Sequence, residues 1–167
     1  MSKNLPEKSG RKSKICWCFF LDEVQKHTKV HLINIVKETA KHINSLAQGK
    51  DVSAGLLVTD GTMRSGIYHQ ELQKKSIRPV APVDVVQTKV MEVIYDQVKK
   101  TGAGSIKDFN YIVNEMLKLG CEYVILGCTE FSYFSNNYQL SSHCIDVLEV
   151  LKKISIELSG KKYKDNV

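Results

Sequence analysis

Two short polar turns contain the residues whose types and spacing could do chemistry. They are Thr59-Asp60-Gly61-Thr62 and Gly127-Cys128-Thr129-Glu130, called turn 59–62 and turn 127–130 below. Each follows a compact apolar run typical of a buried strand, and the carboxyl ends of parallel strands share one edge of a sheet. The hydroxyls and backbone N–H groups of both turns suit an anionic ligand such as a carboxylate. The same residue types also form turns and cap helices, so this pattern alone leaves both interpretations open.

Cys128 is the candidate acid or base of turn 127–130. Oriented backbone N–H groups at the end of a strand would lower the pKa of its thiol from about 8.5. The carboxylate of Glu130, two residues later, would raise the thiol pKa instead. Glu130 is therefore a candidate orienter or proton relay for the thiol. The spacing also fits a small buried cysteine that has no chemical role.

The remaining cysteines form no recognisable metal or disulfide pattern. The sequence contains five cysteines, at positions 16, 18, 121, 128 and 144. An odd number argues against a disulfide framework. Cys16 and Cys18 lack a second pair at zinc-ligand spacing, so we expect no metal site.

The composition is that of an ordinary globular domain. The 167 residues are 43% hydrophobic and 25% charged, and no apolar run reaches the length of a membrane span. The first fourteen residues are polar and basic, without the apolar core of a secretory signal. We therefore expect a cytoplasmic protein that does not contact a membrane.

The net charge of +6 raises the question of a nucleic-acid partner. Much of the excess positive charge lies near the two ends of the chain, where basic residues are usually solvated. The sequence shows neither a basic recognition helix nor a strand pattern that interleaves aromatic and basic residues. We therefore expect no nucleic-acid partner.

Strand-like and helix-like patterns alternate around the two turns. Apolar runs predict strands at 30–36, 53–58 and 123–126, and Pro79 with Pro82 restricts a strand within 78–85 to a short or edge position. Ser105 begins a further helix that Gly120 ends. The other predicted helices span residues 19–27, 39–47, 63–75, 86–100 and 144–158. The alternation predicts an α/β fold with a mostly parallel sheet.

Four segments, in the same order, resemble the aspartate/glutamate (Asp/Glu/hydantoin) racemase family. They lie at residues 55–68, 90–99, 124–130 and 145–151, and the third reads Val-Ile-Leu-Gly-Cys-Thr-Glu. The resemblance extends from about residue 22 to the end of the chain. It implies a three-layer open parallel sheet with flanking helices, comprising one complete racemase-type domain and a remnant of the other.

The resemblance also implies a function and roles for individual residues. It implies an amino-acid racemase or epimerase that needs no pyridoxal phosphate or other cofactor and acts on an acidic or related amino acid. Two thiols on opposite faces of the α-carbon would move the α-proton. By this resemblance Cys128 is one acid/base, and Lys99 pairs with the acidic side chain of the substrate. The hydroxyls that hold its carboxylate oxygens belong to Thr59, Thr62 and Thr129.

The chain departs from the family pattern near its start. The family's first cysteine lies in a Pro-Cys-Asn-Thr-Ala-His-like turn, and the corresponding stretch here is Lys-Ile-Cys-Trp-Cys-Phe-Phe at 14–20. Cys16 and Cys18 are the candidates for the second thiol, although their neighbours differ from the family's. We expect a disordered basic arm at 1–18, a first-domain remnant at 19–52, the second domain at 53–142, a closing helix on the remnant at 143–160, and a tail at 161–167.

Three functional hypotheses follow. The first is an amino-acid racemase of the aspartate or glutamate type, impaired because most of the first domain is missing. The second is a non-catalytic α/β module that binds a carboxylate ligand or a protein partner. The third is another reaction on the related hydantoin or maleate scaffold. A reduced first domain would expose apolar faces, so we also expect a homo-oligomer.

Overall fold

The computed structural model describes residues 21–163, except for the side chain of Asp22. Four parallel strands form one sheet in the order β2-β1-β3-β4. The strands are β1 (Val52–Leu57), β2 (Ile77–Val80), β3 (Tyr123–Leu126) and β4 (Cys144–Asp146). The arm at 1–18, with Cys16 and Cys18, lies outside the described residues.

Helices connect the strands and flank the sheet. They are α1 (Leu21–Lys26), α2 (Ile35–Ala47), α3 (Asp60–Ser65), α4 (Ile67–Gln73), α5 (Asp84–Glu92), α6 (Lys99–Thr101), α7 (Ile106–Lys118), α8 (Ser132–Asn137) and α9 (Val147–Leu158). A π-helical turn, Val93–Val98, joins α5 to α6, and a 3₁₀ turn, Thr129–Phe131, leads into α8. None of the helices in residues 21–163 is long and apolar enough to cross a bilayer.

The helices cover both faces of the sheet, which gives three layers. On one face α2, α4 and α9 pack against the strand residues Leu56 and Ile125 and against Val58, which directly follows β1. On the other face α5, α7 and α8 pack against Leu57 and Leu126. Burial on both faces explains why β1 and β3 read as continuous apolar runs. The predicted α/β fold with a three-layer parallel sheet is confirmed.

Sequence signals locate the edge strand β2 and the two ends of helix α7. Strand β2 contains Pro79 and lies at the edge of the sheet, where a residue without a backbone N–H is tolerated. Ser105 caps α7 by accepting a hydrogen bond from the Asp108 backbone N–H at 3.2 Å. Gly120 follows α7 with a φ of +79°, a conformation that favours glycine. The edge strand and both ends of α7 are confirmed.

The strand predicted at residues 30–36 is wrong. Residues 31–34 have no regular structure, and α2 begins at Ile35 rather than at residue 39. The Asn34 side chain accepts hydrogen bonds from the backbone N–H groups of Val36 and Lys37. A side-chain oxygen at this position satisfies the free N–H groups of a helix start, so the local sequence favours the helix.

Two predicted helices are also corrected. The helix predicted at 144–158 begins with strand β4, and Asp146 ends that strand and caps α9. The helix predicted at 63–75 is two helices, α3 and α4, that meet at Gly66. Gly66 has a φ of +67°, which breaks the helical path because this conformation lies outside the right-handed helical region.

Candidate active site

The two polar turns lie side by side at the carboxyl ends of β1 and β3. Leu57 is in register with Leu126, and the Gly127 backbone N–H donates to the Leu57 carbonyl at 3.0 Å. Turn 59–62 continues from β1 and turn 127–130 continues from β3. The prediction that both turns occupy one edge of the sheet is confirmed.

Gly127 allows the two turns to approach closely. A Cβ atom at this position would lie 2.5 Å from Val58 Cγ1 and 3.2 Å from Tyr68 Oη. Val58 is fully buried, and Tyr68 is 4% exposed. Because both neighbours are held in the core, a larger residue at position 127 would push turn 127–130 away from turn 59–62.

Cys128 and Glu130 form a hydrogen-bonded pair. The Cys128 thiol donates to Glu130 Oε2, with 2.8 Å between the sulfur and the oxygen. The Thr129 hydroxyl donates to the same carboxylate oxygen at 3.1 Å. The tight 3₁₀ turn begins at Thr129 and brings the Glu130 carboxylate back toward Cys128, which directly precedes the turn. The orienting contact expected between Glu130 and Cys128 is therefore present.

The surroundings keep this pair as a neutral thiol beside a carboxylate. Burial raises the pKa of Cys128 to about 12, and the hydrogen bond and charge of Glu130 act in the same direction. The Glu130 backbone N–H and the charge of Lys99 lower this pKa but are outweighed. The expected lowering by backbone N–H groups therefore exists, but the net direction is upward because the thiol is removed from water.

The carboxylate of Glu130 is stabilised in its charged form. Burial on its own raises the pKa of Glu130, but the hydrogen bonds that the carboxylate accepts outweigh this effect. The donors are the Cys128 thiol, the Glu130 backbone N–H and the Thr129 hydroxyl, and the charge of Lys99 adds to them. The net result is a pKa below the ordinary value of 4.5. Glu130 is therefore ionised at neutral pH and accepts hydrogen bonds as a carboxylate.

In turn 59–62 the hydroxyl groups serve both as a helix cap and as a polar surface. Thr59 caps α3, and its Oγ1 lies 3.4 Å from the Thr62 backbone N and 3.1 Å from Thr62 Oγ1. Both side chains are only partly buried. The capping interpretation from the sequence is confirmed.

Lys99 lies near turn 127–130 at the end of the π-helical turn. The π-helical turn packs against the 3₁₀ turn that begins at Thr129. The positive charge of Lys99 lowers the pKa of both Cys128 and Glu130. Its Nζ lies 4.8 Å from the centre of the Tyr95 ring, a cation–π distance. Lys99 thus adds positive charge beside the thiol–carboxylate pair.

Gln87 and Asp146 contribute to this edge, although sequence reasoning gave neither a role. Gln87 Nε2 donates to the Val58 carbonyl at 3.1 Å and to Asp60 Oδ1 at 2.8 Å. Asp146 accepts from the Ser132 hydroxyl at 2.8 Å and also from the Ser135 hydroxyl. The available signal for Asp146 was an acidic residue just before an apolar helical stripe, which is a capping pattern.

Asp146 connects the start of α8 to the start of α9. Its carboxylate accepts from the Leu148 backbone N–H at 2.9 Å, in addition to the two serine hydroxyls. The residue is 7% exposed, so the carboxylate is removed from water and satisfied by three donors. Because α8 directly follows turn 127–130, this network fixes the chain that leaves the turn.

An open groove of about 960 Å³ lies beside β4, away from the thiol. It is bordered by residues of α8, β4 and α9, together with His42 of α2. Cys144 also borders the groove, and burial raises its pKa to about 11. Cys128 and turn 59–62 are not among the residues that form the groove. We assign the candidate active site to the thiol–carboxylate pair because donors and acceptors meet there.

Neither Cys121 nor Cys144 is placed to be the second thiol. Cys121 precedes β3 and Cys144 begins β4, so both lie at the amino ends of their strands. Cys128 follows the carboxyl end of β3, so it lies at the opposite end of the strands from Cys121 and Cys144. The other candidates, Cys16 and Cys18, lie outside the described residues.

Comparison with known proteins identifies the family. The model of the Asp/Glu/hydantoin racemase family matches residues 16–151, which include both turns. The chain therefore belongs to the Asp/Glu/hydantoin racemase family. The resemblance based on four sequence segments is confirmed.

Two solved structures share the fold. An aspartate racemase homologue from Pyrococcus horikoshii OT3 is 26% identical with a TM-score of 0.68, over 86% of this chain and 62% of that chain. Picrophilus torridus aspartate racemase is also 26% identical with a TM-score of 0.59, over 81% of this chain and 56% of that chain. This chain thus spans less than two thirds of the length of either structure.

A third relative matches over most of its own length. It is an uncharacterised protein in the pnlA 3′ region of Pectobacterium carotovorum subsp. carotovorum, 29% identical over 143 residues. These residues make up 84% of this chain and 91% of that protein. This relative is therefore similar in length to the chain.

Proposed function

We propose that this chain carries one half of a cofactor-independent amino-acid racemase site, in which Cys128 exchanges the α-proton of an acidic amino acid. The observation that carries this proposal is the 2.8 Å hydrogen bond from the Cys128 thiol to Glu130 Oε2. A thiol must lose its proton before it can act as a base, and this contact supplies the acceptor. The two 26% identical solved relatives, an aspartate racemase and an aspartate racemase homologue, support an acidic substrate.

The proton movements involve the pair in sequence. Glu130 accepts the thiol proton, and the resulting Cys128 thiolate removes the α-proton of the substrate, which leaves a carbanion. The thiol exchanges this proton for one from solvent, returns the solvent-derived proton to the same face of the α-carbon and becomes a thiolate again, and Glu130 gives its proton back to the thiolate at the end of the cycle. Because the resting pKa of Cys128 is about 12, thiolate formation requires added positive charge. The ammonium group of an amino acid beside the pair supplies that charge.

Turn 59–62 and Lys99 supply the substrate contacts in this proposal. The Thr59 and Thr62 residues are partly exposed beside turn 127–130, and their hydroxyls share a 3.1 Å hydrogen bond. In this proposal they exchange that bond for donation to the α-carboxylate, on which negative charge builds as the α-proton leaves. Thr129 is exposed, and its hydroxyl would turn from Glu130 Oε2, to which it donates at 3.1 Å, to a substrate oxygen. The cation of Lys99 pairs with the side-chain carboxylate, which makes aspartate and glutamate the substrates to test first.

Racemisation needs a second proton donor on the opposite face of the α-carbon. Within residues 21–163, Cys121 and Cys144 lie at the other edge of the sheet. We therefore propose that Cys128, acting with the described residues alone, exchanges the α-proton with retention of configuration, and that inversion requires a donor from Cys16 or Cys18, which lie outside the described residues.

Proton exchange tests this function. The protein is incubated in deuterated water with each enantiomer of aspartate and glutamate, and loss of the α-proton signal is followed by NMR. We expect exchange with at least one of the four amino acids, and we expect Cys128→Ala to abolish it. Cys144→Ala is the matched control because Cys144 is also a half-buried thiol but lies at the opposite edge.

The result distinguishes catalysis from binding alone. Exchange that persists in Cys128→Ala, or the absence of exchange with all four amino acids, would contradict the catalytic proposal. Chemical-shift changes at turn 59–62 without any exchange would instead support the alternative of a non-catalytic module that binds a carboxylate ligand.

A further inference from the structure

Gln87 bridges helix α5 to turn 59–62. The residue lies in the first turn of α5, and its side-chain nitrogen makes two hydrogen bonds. One goes to the Val58 carbonyl at 3.1 Å, and the other goes to Asp60 Oδ1 at 2.8 Å. These acceptors lie on either side of Thr59 in the sequence. A single side chain therefore holds the turn at two points across 27 to 29 residues of chain.

The chemistry of these acceptors fixes the orientation of the Gln87 amide. A carbonyl and a carboxylate both require a donor, so only the NH₂ group of the amide can face them. A rotated amide would place its oxygen against two other oxygens. The Gln87 Oε1 atom is accordingly directed elsewhere, and it is buried without a hydrogen-bond partner among the described residues. A buried unpaired acceptor costs free energy, and the two hydrogen bonds that the NH₂ group donates offset this cost.

The segment that Gln87 holds has little stability of its own. Helix α3, which begins directly after Thr59, has only six residues and contains no buried residue. Helices of this length depend on contacts with the rest of the protein. The conformation of Thr59 and Thr62 therefore depends on the connections of the turn to its neighbours, and Gln87 provides two of them.

We propose that Gln87 is a positioning residue for substrate binding: it holds turn 59–62 so that the Thr59 and Thr62 hydroxyls face the substrate carboxylate. This inference rests on the proposed function for the role of the two hydroxyls. The hydrogen bonds by which Gln87 stabilises turn 59–62 do not depend on that function, and their effect can be measured separately.

Gln87→Met tests the hold on the turn. Methionine matches glutamine in length and has no NH₂ donor, and it removes the unpaired Oε1. We expect amide hydrogen exchange at Thr62 and Met63 to become about tenfold faster, as the loss of one to two net hydrogen bonds implies. The melting temperature should change no more than in the control Gln25→Met. Gln25 also donates to two carbonyls, those of Thr28 and Val30, in a distant part of the chain.

The catalytic readout separates positioning from general destabilisation. The carboxylate is bound before proton transfer and gains negative charge during it, so loss of its contacts raises KM and also lowers kcat for α-proton exchange. We expect Gln87→Met to raise KM for aspartate about tenfold, and Gln25→Met to leave KM unchanged. Gln87→Glu is a second variant of the same size, and we expect the same changes because a carboxylate cannot donate to Val58 or Asp60.

The outcomes separate this inference from the proposed function. Unchanged amide exchange at Thr62 and Met63 in both Gln87 variants overturns the inference, even if the wild-type protein exchanges α-protons. A fall in kcat with constant KM also overturns it. If the wild-type protein shows no α-proton exchange, the proposed function fails, and the amide measurements still decide whether Gln87 holds the turn.

Discussion

At the scale of single residues, one carboxylate has two opposing effects on the thiol. Glu130 orients Cys128 through a 2.8 Å hydrogen bond and provides a proton acceptor. The same hydrogen bond and charge also raise the pKa of Cys128, in addition to the larger effect of burial. The pair is therefore inactive at rest as a base, and its protonation state responds to any charge that a ligand brings.

Replacing Glu130 by glutamine separates these effects. Glu130→Gln removes the negative charge, so we expect the Cys128 pKa to fall below about 12. Burial, the largest cause of the shift, stays in place and keeps the pKa above the ordinary value of 9.0. The rate of thiol alkylation by iodoacetamide at Cys128, followed by mass spectrometry, should therefore begin to rise at a lower pH in the variant.

The control for this measurement is Glu115→Gln. Glu115 is paired with Lys118 on α7, so its replacement removes the same charge away from the thiol. We expect the alkylation profile of Cys128 in this variant to match the wild-type profile. An unchanged or upward-shifted profile in Glu130→Gln contradicts the effect assigned to the Glu130 charge.

The sequence allowed some of these residues to be predicted but not others. Cys128 and Glu130 are recognisable because their partners lie one or two residues away and because the turn follows an apolar strand. Gln87 could not be found in this way, since its acceptors lie 27 and 29 residues earlier in the chain. On α5 it looks like an ordinary polar residue beside the buried Val86. Its role exists only once the sheet brings α5 to the end of β1.

At the scale of structural elements, the close approach of the segments that follow β1 and β3 depends on glycine at position 127, which has no side chain. Gly127 leaves room for Val58 Cγ1, which would lie 2.5 Å from a Cβ atom at position 127. The two residues follow neighbouring parallel strands in the centre of the sheet. The contact between them therefore affects both the stability of the core and the position of the thiol.

Gly127→Ala should destabilise the protein by about 1 to 3 kcal/mol through overpacking. The combined variant Gly127→Ala/Val58→Ala should recover part of this loss, because Val58→Ala removes the methyl group that the new Cβ would contact. Urea unfolding of the two single variants and the double variant measures the coupling. Strictly additive free energies of unfolding would show that the close contact is not the cause.

The sequence patterns predicted elements where burial and periodicity agree. Strands β1 and β3 are apolar except for Ser53 and the Tyr123 hydroxyl and lie in the centre of the sheet, so their patterns are clear. The run at 30–36 is equally apolar, but a short apolar run fits a strand or a helix start, and Asn34 selects the helix. Strand β4 was assigned to α9 because three residues, Cys144–Asp146, are too few to show a strand pattern.

At the scale of the whole molecule, the chain exposes apolar side chains around its first helices. Val24 is 47% exposed and Val30 is 67% exposed, and Leu158 at the end of α9 is 58% exposed. These observations support the prediction that the chain self-associates.

Self-association can be measured by sedimentation velocity over a range of protein concentrations. We expect a dimer or a larger species that dissociates on dilution. Val30→Glu should weaken the association by placing a charge in an apolar contact. Val85→Glu is the matched control because Val85 is also 67% exposed but lies on α5. A stable, monodisperse monomer at all concentrations contradicts the prediction.

The parallel pairing of β1 with β3 also affects how the chain is made. Ser53 in β1 and Glu122, which directly precedes β3, are joined by a hydrogen bond and lie 69 positions apart in the sequence. At roughly 5 to 20 residues per second on the ribosome, β3 emerges about 3 to 14 s after β1. During this interval the largely apolar strand β1 has only the edge strand β2 as a neighbour in the sheet, and it is open to non-specific association. We therefore expect the yield of folded protein in a cell to depend on chaperone capture and on translation speed between the two strands, as well as on the stability of the finished sheet.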